Sequence, residues 1–320
     1  MLCHILGQLP MMRSLAPIAL FAFNRPQHLY ETIKALKAND LADCSDLYVY
    51  VDGPHATSDR AAVEEVKSIV DNISGFKAVH AVFRDRNMGL ARSITSGVTE
   101  LTQEFGRVIV LEDDIVTSRG FLTYMNDALN LYENDSRVFQ ITGYMVPNKW
   151  ATHKTGFLRI VSSWGWGTWE RAWLNYESDA SSLLEKVNNK SKSRFDLDGY
   201  AYQSYDLKRN ANNELNTWAV KWYASVFLND GLCLYPKKSM LKNIGLDGSG
   251  TNCGSARGYK KLPESMATAI EVKRIPIEED QRYLKAMQAH YARLQRQWSR
   301  LTFGDRVVRK IQKVLANSKD

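Results

Sequence analysis

The stretch Gly106-Arg107-Val108-Ile109-Val110-Leu111-Glu112-Asp113-Asp114-Ile115 places four apolar β-forming residues directly before three carboxylates. A short, continuous apolar run of this kind is typical of a parallel strand that is buried on both faces. The carboxylates cannot continue into the core, because an isolated buried carboxylate is very costly. We therefore expect the strand to end in a crevice at its carboxyl end, where open α/β sheets bind their ligands.

The three acids at this strand end predict a metal site. Carboxylate oxygens that converge there suit Mg²⁺ or Mn²⁺, with the phosphates of a substrate completing the coordination. The alternative is a loop whose acids are merely solvated. The apolar strand directly in front of the acids favours the metal–phosphate interpretation.

Strands and helices alternate along the first part of the chain, which indicates βαβ units and a parallel sheet. The sequence predicts strands at 16–23, 46–51, 78–83 and 107–111, and helices at 27–38, 61–73 and 91–105. The strands end at Asn24-Arg25, Asp52-Gly53, Arg86-Asn87-Met88-Gly89 and Glu112-Asp113-Asp114. Because these four ends meet at one edge of the sheet, they predict a nucleotide-binding site there.

Two common nucleotide-binding motifs are missing from the sequence. The first predicted helix does not begin with GxGxxG, and GxxxxGK[S/T] occurs nowhere. The sequence therefore argues against a dinucleotide-binding Rossmann enzyme and against a P-loop ATPase. We expect phosphate to be held by a metal ion and by arginine instead.

The composition is that of an ordinary globular protein. The 320 residues are 44% hydrophobic and 24% charged, with a formal net charge of +7, which suits one large α/β domain. The four cysteines have no zinc-ligand spacing, so free thiols in a reducing cytoplasm are expected. No apolar run reaches the ~18 residues of a transmembrane helix. The apolar residues 15–23 are interpreted as the first strand rather than as a signal peptide.

The four strand ends also carry a resemblance. In this order, Asn24-Arg25-Pro26, Asp52-Gly53, Asn87-Met88-Gly89-Leu90-Ala91-Arg92 and Leu111-Glu112-Asp113-Asp114 resemble a nucleotide-sugar-dependent glycosyltransferase of the GT-A type. The acidic triplet is most similar to the N-acetylglucosaminyltransferase I group and its bacterial relatives that build surface polysaccharides. The resemblance covers roughly residues 15–255. It implies a GT-A (Rossmann-like) α/β fold, a mostly parallel sheet flanked by helices, here with a C-terminal helical extension.

The resemblance implies roles for the residues at the strand ends. Asp52 would accept a hydrogen bond from a uracil-type base, which favours a UDP-sugar, and Asp114 would bind the metal. A turn-forming role is the alternative for Asp52, and a solvated or paired helix position is the alternative for Arg92. The residues expected to bind the donor are Phe23, Asn24, Arg25, Asp52, Asn87, Gly89, Arg92, Glu112 and Asp113, together with Trp164, Gly165 and Trp166.

The second half of the chain is expected to bind the acceptor. The sequence predicts helices at 121–132 and 216–229, strands at 138–142 and 232–236, a loop at 143–156 and a mobile loop at 181–202. Trp164, Gly165 and Trp166 lie in a run of tryptophans and glycines that we expect to shape the sugar pocket. A buried aromatic corner is the alternative for this run. The glycine-rich residues 243–254 are expected to fold over the donor.

Sugar transfer from such a donor expels a diphosphate, so a metal would stabilise the charge that grows on the leaving group. The anomeric carbon gains oxocarbenium character. If the reaction inverts configuration, as the resemblance favours, a carboxylate must act as general base on the acceptor hydroxyl. We assign this role to Asp247, with Glu214 second. An Asp-Gly turn is the alternative for Asp247.

The residues from about 278 to 320 predict a basic amphipathic helix. Such a helix can lie on an anionic membrane surface, or it can pack on the catalytic domain with a solvated basic face. A nucleic-acid role is not expected, because basic and aromatic residues are not interleaved across the sheet.

The chain is thus interpreted as an N-terminal extension (1–13), a nucleotide-sugar-binding half (14–118), an acceptor-binding half (119–277) and the basic helical tail (278–320). The expected function is transfer of a sugar to a saccharide or lipid-linked glycan in bacterial surface polysaccharide synthesis, in the cytoplasm and peripheral to the cell membrane. Two alternatives stay open. One is a sugar nucleotidyltransferase, for which a glycine-rich loop after the first strand is expected. The other is an inactive carbohydrate-binding protein of the same fold.

Overall fold

The computed structural model describes residues 15–147, 154–249 and 265–296. The strands are β1 (Ile18–Ala22), β2 (Asp46–Val51), β3 (Ala78–Phe83), β4 (Arg107–Glu112), β5 (Ile115–Thr117), β6 (Val138–Thr142), β7 (Gly156–Leu158), β8 (Trp166–Trp169), β9 (Leu232–Tyr235) and β10 (Leu241–Asn243). The helices are α1 (Pro26–Lys37), α2 (Arg60–Asp71), α3 (Leu90–Phe105), α4 (Phe121–Leu131), α5 (Glu170–Trp173), α6 (Ala180–Phe195), α7 (Gln203–Ala211), α8 (Ala219–Leu228) and α9 (281–296).

Eight strands form one sheet in the order β3-β2-β1-β4-β8-β6-β9-β7. The pairs among β1 to β4 are parallel, and β6 pairs with β9 in parallel. Strand β8 runs antiparallel to both of its neighbours, and β7 runs antiparallel to β9. The predicted α/β fold with a mostly parallel sheet flanked by helices is therefore confirmed.

The sheet is covered on both faces, as the continuous apolar strands predict. Side chains alternate along β1, so that Ile18 and Leu20 pack with α1, α2 and α4, while Ala19 and Phe21 pack with α3. A further apolar cluster joins α6, α7, α8 and α9 beside the end of the sheet formed by β9 and β7.

The first three helices each begin one residue before the predicted start, and β2, β3 and β6 have the predicted bounds. The C-terminal helix is confirmed for 281–296, where Tyr283, Leu284 and Met287 are buried against the domain. The remainder of that tail, 297–320, lies outside the described residues, as do 1–14, 148–153 within the predicted loop and 250–264 of the glycine-rich region. Among the described residues, none of the helices is long and apolar enough to span a bilayer.

The prediction of a mobile loop at 181–202 is wrong, because most of this segment is helix α6. The carboxylate of Asp179 caps the helix by accepting hydrogen bonds from the amides of Ser181 (2.8 Å) and Ser182 (3.2 Å). Leu183 and Val187, four residues apart, are buried on one face. The asparagines, lysines and serines that suggested a loop lie mostly on the solvated face of this helix.

Four tryptophans form a cluster that packs against the sheet. The ring of Trp166 stacks on Trp218 with centroids 5.1 Å apart and lies near Trp173 (5.9 Å) and Trp222 (6.2 Å). Trp166 is fully buried, whereas Trp164 is only half-buried. Trp166 therefore has a packing role in the core of the fold.

We expect Trp166→Ala to lower the free energy of unfolding by about 3–5 kcal/mol, because it leaves a large cavity that the neighbouring rigid rings cannot move in to fill. Trp164→Ala is the matched control and should cost clearly less, since part of its ring is already in contact with water. Denaturant unfolding monitored by circular dichroism measures both. Equal losses for the two variants would contradict the packing role of Trp166.

Candidate functional site

Three parallel strands bring their carboxyl ends to one edge of the sheet. The register aligns Phe21 of β1 with Glu112 of β4, and Ala22 of β1 with Val51 of β2. The segments that follow these strands carry the predicted donor-binding residues. Phe23 is half-buried against the core, and Asn24 donates a hydrogen bond from Nδ2 to Asp59 Oδ1 (3.0 Å).

Arg25 joins the first strand end to the acidic triplet. Its guanidinium pairs with the carboxylate of Asp113 through Nε and Nη2, and its Nη1 lies 3.0 Å from Asp114 Oδ2. Asp113 and Asp114 are only 3% and 5% exposed. Burial acts to lower the pKa of Arg25, but the two carboxylates outweigh it and raise that pKa above its ordinary value. Arg25 is thus a permanent cation between two buried acids.

The triplet carries more negative charge than Arg25 neutralises. Loss of hydration, followed by the charges of Asp114 and Asp113, raises the pKa of Glu112 to about 8. Burial also raises the pKa of Asp113 to about 6, although Arg25 acts in the opposite direction. Both shifts mean that full ionisation of the triplet is unfavourable without a further cation.

Asp114 offers an oxygen that fits a metal ion. Its Oδ1 is buried and has no hydrogen-bond partner among the described residues, and an unsatisfied buried acceptor is costly. A hard carboxylate oxygen of this kind suits Mg²⁺ or Mn²⁺. The described residues hold no group of three or more His, Cys, Asp or Glu side chains that could bind a metal.

Gly245 allows the chain to pass directly over this carboxylate. Strand β10 pairs with β5 immediately after the triplet, and the amide of Ile244 donates to the carbonyl of Asp114 (2.9 Å). A Cβ on Gly245 would collide with Asp114 Oδ2 and would lie 2.8 Å from Arg25 Nη1. Only glycine fits at this position without moving the ion pair.

Asp52 lies at the end of β2 with both carboxylate oxygens engaged. Its Oδ1 accepts from the amides of Met88 (2.7 Å) and Gly53 (3.1 Å), and its Oδ2 accepts from the amide of Gly89 (2.9 Å). Asn87 Nδ2 donates to the carbonyl of Gly53 (2.9 Å). Asp52 and Asn87 therefore fix the loop between β3 and α3 to the end of β2.

The remaining predicted donor residues lie around this edge. Arg92 is exposed in the first turn of α3. Trp164 meets Tyr144 edge-on, with ring centroids 4.6 Å apart. Gly165 has a positive φ of 51°, and a Cβ there would collide with Leu241 of β10. Trp166 turns away into the tryptophan cluster.

The two candidate bases occupy different places. Asp247 follows β10, and its Oδ2 lies 3.1 Å from Nε2 of His28, which is one turn along α1 from Arg25. Hydrogen bonds from Ser249 lead the interactions that lower the pKa of Asp247. Glu214 is exposed in the loop before α8, where it accepts from Asn212 Nδ2 (3.0 Å). The structure brings Asp247, but not Glu214, into contact with a side chain of α1.

Sequence reasoning missed three residues of this site. His28 holds Asp247, Gly245 gives the chain room over Asp114, and Thr32 Oγ1 donates to the carbonyl of Asp113 (2.7 Å). Positions 25, 28 and 32 lie on one face of a helix that starts at Pro26. That helical spacing was the available signal for His28 and Thr32.

Comparisons with known proteins give only distant structural likenesses. No family model and no curated protein matches the sequence. The chain is similar to TarS from S. aureus (TM-score 0.38, 11% identity, covering 70% of this chain and 36% of that one) and to TarS 1–349 (0.40, 10%, 70% and 59%). It is also similar to the mannosyltransferase PcManGT from Pyrobaculum calidifontis in complex with GDP-Man and Mn²⁺ (0.38, 10%, 68% and 69%). The chain thus spans well under two thirds of either TarS structure, and these TM-scores are too low to support a conclusion about it.

We expect Asp52→Asn to lower the free energy of unfolding by about 1–3 kcal/mol, because the new amide group would face backbone N–H donors and leave them unpaired. Asp46→Asn at the start of the same strand is the control, since Asp46 makes a pair with Lys77 at the surface (2.8 Å) and should contribute at most about 1 kcal/mol. Denaturant unfolding compares them. An unchanged free energy of unfolding in Asp52→Asn would show that the loop is held by other contacts.

Proposed function

We propose that the protein is a metal-dependent glycosyltransferase that uses a nucleotide-diphosphate sugar as donor. The observation that carries this proposal is the pairing of Arg25 with Asp113 and Asp114 at the carboxyl ends of parallel strands. In addition, Asp114 Oδ1 is buried and has no hydrogen-bond partner in the part of the chain that the structure describes. Open α/β sheets bind their ligands at this edge. Arg25, a buried excess of carboxylate and an open oxygen ligand together suit a diphosphate with its cation.

Asp114 is the residue proposed to hold Mn²⁺ or Mg²⁺, with the diphosphate oxygens completing the coordination. When bound, such an ion supplies charge stabilisation for the departing diphosphate. Arg25 lies within contact distance of the same carboxylates and supplies a second, permanent positive charge. Gly245 lets the β10 segment cover the site and limit access of water.

The nucleoside is proposed to lie over the ends of β1 and β2 and over the loop before α3. Asp52 uses three of the roughly four lone-pair sites of a carboxylate. One site therefore remains for the N–H of a uracil-type base, in line with a UDP-sugar. Asn24 and the exposed Arg92 would contact the nucleotide beside it, and Glu112 and Asp113 would face the ribose.

Asp247 is proposed as the general base of an inverting reaction, with Glu214 as the second candidate. The carboxylate is ionised at neutral pH, as a base must be before it takes the acceptor proton. The hydrogen bonds from Ser249 that lower its pKa also weaken it as a proton acceptor, so the role rests on its position beside α1. His28 orients this carboxylate over the first turns of α1, next to the acidic triplet. The side chain is half-exposed and therefore open to an acceptor hydroxyl.

The acceptor is proposed to be a saccharide or lipid-linked glycan of a bacterial surface polysaccharide, in line with the resemblance to bacterial polysaccharide glycosyltransferases. The enzyme would then act in the cytoplasm, with peripheral membrane contact through the C-terminal helix. In α9 the buried residues Tyr283, Leu284 and Met287 face the domain, and Arg293 and Arg296 are exposed. In this arrangement the basic face points to solvent, where it could contact an anionic surface.

A catalytically inactive carbohydrate-binding protein is the second candidate. The observation in its favour is that hydrogen bonds from Ser249 lower the pKa of Asp247, the proposed base, and so weaken it as a proton acceptor. Release of nucleoside diphosphate from a nucleotide sugar separates the two functions, because a pure binding protein releases none.

We expect nucleoside diphosphates with Mn²⁺ to raise the melting temperature of the wild type, since a ligand that binds only the folded state stabilises it by mass action. Asp114→Asn should abolish this shift and reduce nucleoside diphosphate release by about 10²-fold or more. Asp135→Asn, which alters a surface pair with Arg274, is the control. It should keep the shift in melting temperature and the wild-type rate of nucleoside diphosphate release. A normal response from Asp114→Asn would remove Asp114 as the metal ligand.

Asp247→Asn is expected to keep the Mn²⁺-dependent nucleotide response and to slow transfer by about 10²–10⁴-fold, because it removes only the proton acceptor. Glu214→Gln serves as the comparison and should transfer at the wild-type rate. Steady-state release of nucleoside diphosphate in the presence of acceptor measures both. If Glu214→Gln is the slow variant, the base is Glu214.

A further inference from the structure

A cavity of about 220 Å³ lies between the acceptor half of the sheet and helices α7, α8 and α9. Tyr144 and Trp164 line it on one side, and both are half-buried. His290 and Tyr291 of α9 form the opposite wall, and the buried ring of Trp218 closes the back. The C-terminal helix thus forms one wall of a partly open cavity.

The cavity opens at the same edge of the sheet as the acidic triplet. Tyr144 follows the carboxyl end of β6, and Trp164 precedes the antiparallel strand β8. The neighbouring glycines are joined, since the amide of Gly143 donates to the carbonyl of Gly165 (2.8 Å). A Cβ at Gly165 would lie 3.5 Å from Ile115, the residue directly after Asp114. Gly165 and Ile115 therefore connect the wall of the cavity to the proposed metal ligand, Asp114.

The described lining of this cavity is uncharged at neutral pH. Among the residues that the structure describes, none of those lining the cavity is Asp, Glu, Lys or Arg. Burial, followed by the charge of Arg293, lowers the pKa of His290 to about 4, so its imidazole is neutral. Against this lining a charged ligand would lose its hydration without gaining an opposite charge. The described lining therefore disfavours anionic and cationic groups.

The shape and chemistry of the lining suit one sugar ring. The volume is below the roughly 300–1,000 Å³ of sites for drug-sized ligands, so one ring fits and an extended chain does not. Trp164, Tyr144 and Tyr291 offer flat aromatic surface for the C–H face of a pyranose. Gln203, Ser162 and Ser163 offer polar atoms for its hydroxyl groups, and Gln203 Nε2 already lies 3.4 Å from the Tyr291 hydroxyl.

We propose that this cavity binds a single uncharged sugar residue of the acceptor, and that α9 forms the wall that holds it. The proposal rests on the glycosyltransferase function proposed above and adds the substrate class. It assigns to Met287, His290 and Tyr291 a role in acceptor binding in addition to any contact of the basic face with a membrane. It also places the acceptor on the side of the acidic triplet opposite the nucleoside.

The test uses methyl glycosides of neutral hexoses, N-acetylhexosamines, a uronic acid and an amino sugar as probes. Their binding to the full chain is measured by saturation-transfer NMR and by tryptophan fluorescence, with and without UDP and Mn²⁺. Neutral glycosides should bind at least about tenfold more tightly than the charged ones. A tenfold difference in Kd is about 1.4 kcal/mol, roughly the contribution of one good contact. Equal or tighter binding of the charged probes would overturn the proposal.

Two variants locate the binding. Tyr291→Ala removes an aromatic wall, and Ala219→Phe fills the cavity from the first turn of α8 without removing any packing. Each should weaken the binding of neutral glycosides by at least about tenfold. Neither should change the Mn²⁺-dependent rise in melting temperature caused by nucleotides. Tyr30→Ala, at an exposed tyrosine on α1, is the control and should change neither measurement.

The outcomes also separate this proposal from the transferase function. If neutral glycosides bind in this cavity but no nucleotide stabilises the protein, the sugar site stands and the transferase proposal fails. If nucleotides stabilise the protein but no methyl glycoside binds under either condition, the sugar site fails alone. Retained affinity in both cavity variants, or displacement of a glycoside by a free nucleoside, would likewise overturn it.

Discussion

The contact on which the rest of the site depends is the pairing of Arg25 with Asp113 and Asp114. Breaking a buried ion pair is costly, because removal of one partner leaves an uncompensated charge. Arg25 follows β1, and the two acids follow β4, so this pair fixes neighbouring strand ends relative to each other. Neither element could shift along the sheet without exposing or isolating a charge. The pair therefore sets the geometry of the edge on which the proposed donor site is built.

The same charges explain why this edge favours a cation. One guanidinium faces three carboxylates, and burial together with the repulsion among these carboxylates raises the pKa values of Glu112 and Asp113. A dication at Asp114 Oδ1 would relieve that repulsion, while a diphosphate would then be attracted to both the cation and Arg25. Anion and cation would support each other's binding, so neither alone need bind tightly.

The sequence predicted the first half of the fold well because strand periodicity, helix starts and acidic strand ends agree there. For this reason the sequence places Arg25 and Asp114 at the same edge of the sheet. Helical spacing from Arg25 marks the position of His28, but it does not give the contact of this side chain, because its partner Asp247 is more than 200 residues away along the chain. Gly245 likewise owes its role to a distant contact, with Asp114. Helix α6 was missed because two buried residues, Leu183 and Val187, are a weak signal among many polar neighbours. Trp164 and Trp166 look equivalent in sequence, and a strand would place both on one face. The turn at Gly165, whose φ is 51°, separates the cavity ring from the core ring.

The two halves of the site meet at a pair of glycines, and this constrains how the chain could position two substrates. Gly143 and Gly165 join the segments that carry Tyr144 and Trp164, and both glycines pack against Phe121 and Leu241. Leu241 belongs to β10, which also carries the chain to Gly245 over Asp114. A side chain at either glycine would displace β10. This shift would disturb both the ion pairs of Arg25 with Asp113 and Asp114 and the aromatic wall of the cavity. The short β5–β10 ladder is therefore the structural element through which a donor at Arg25 and a sugar ring at Trp164 would be held in one fixed relation.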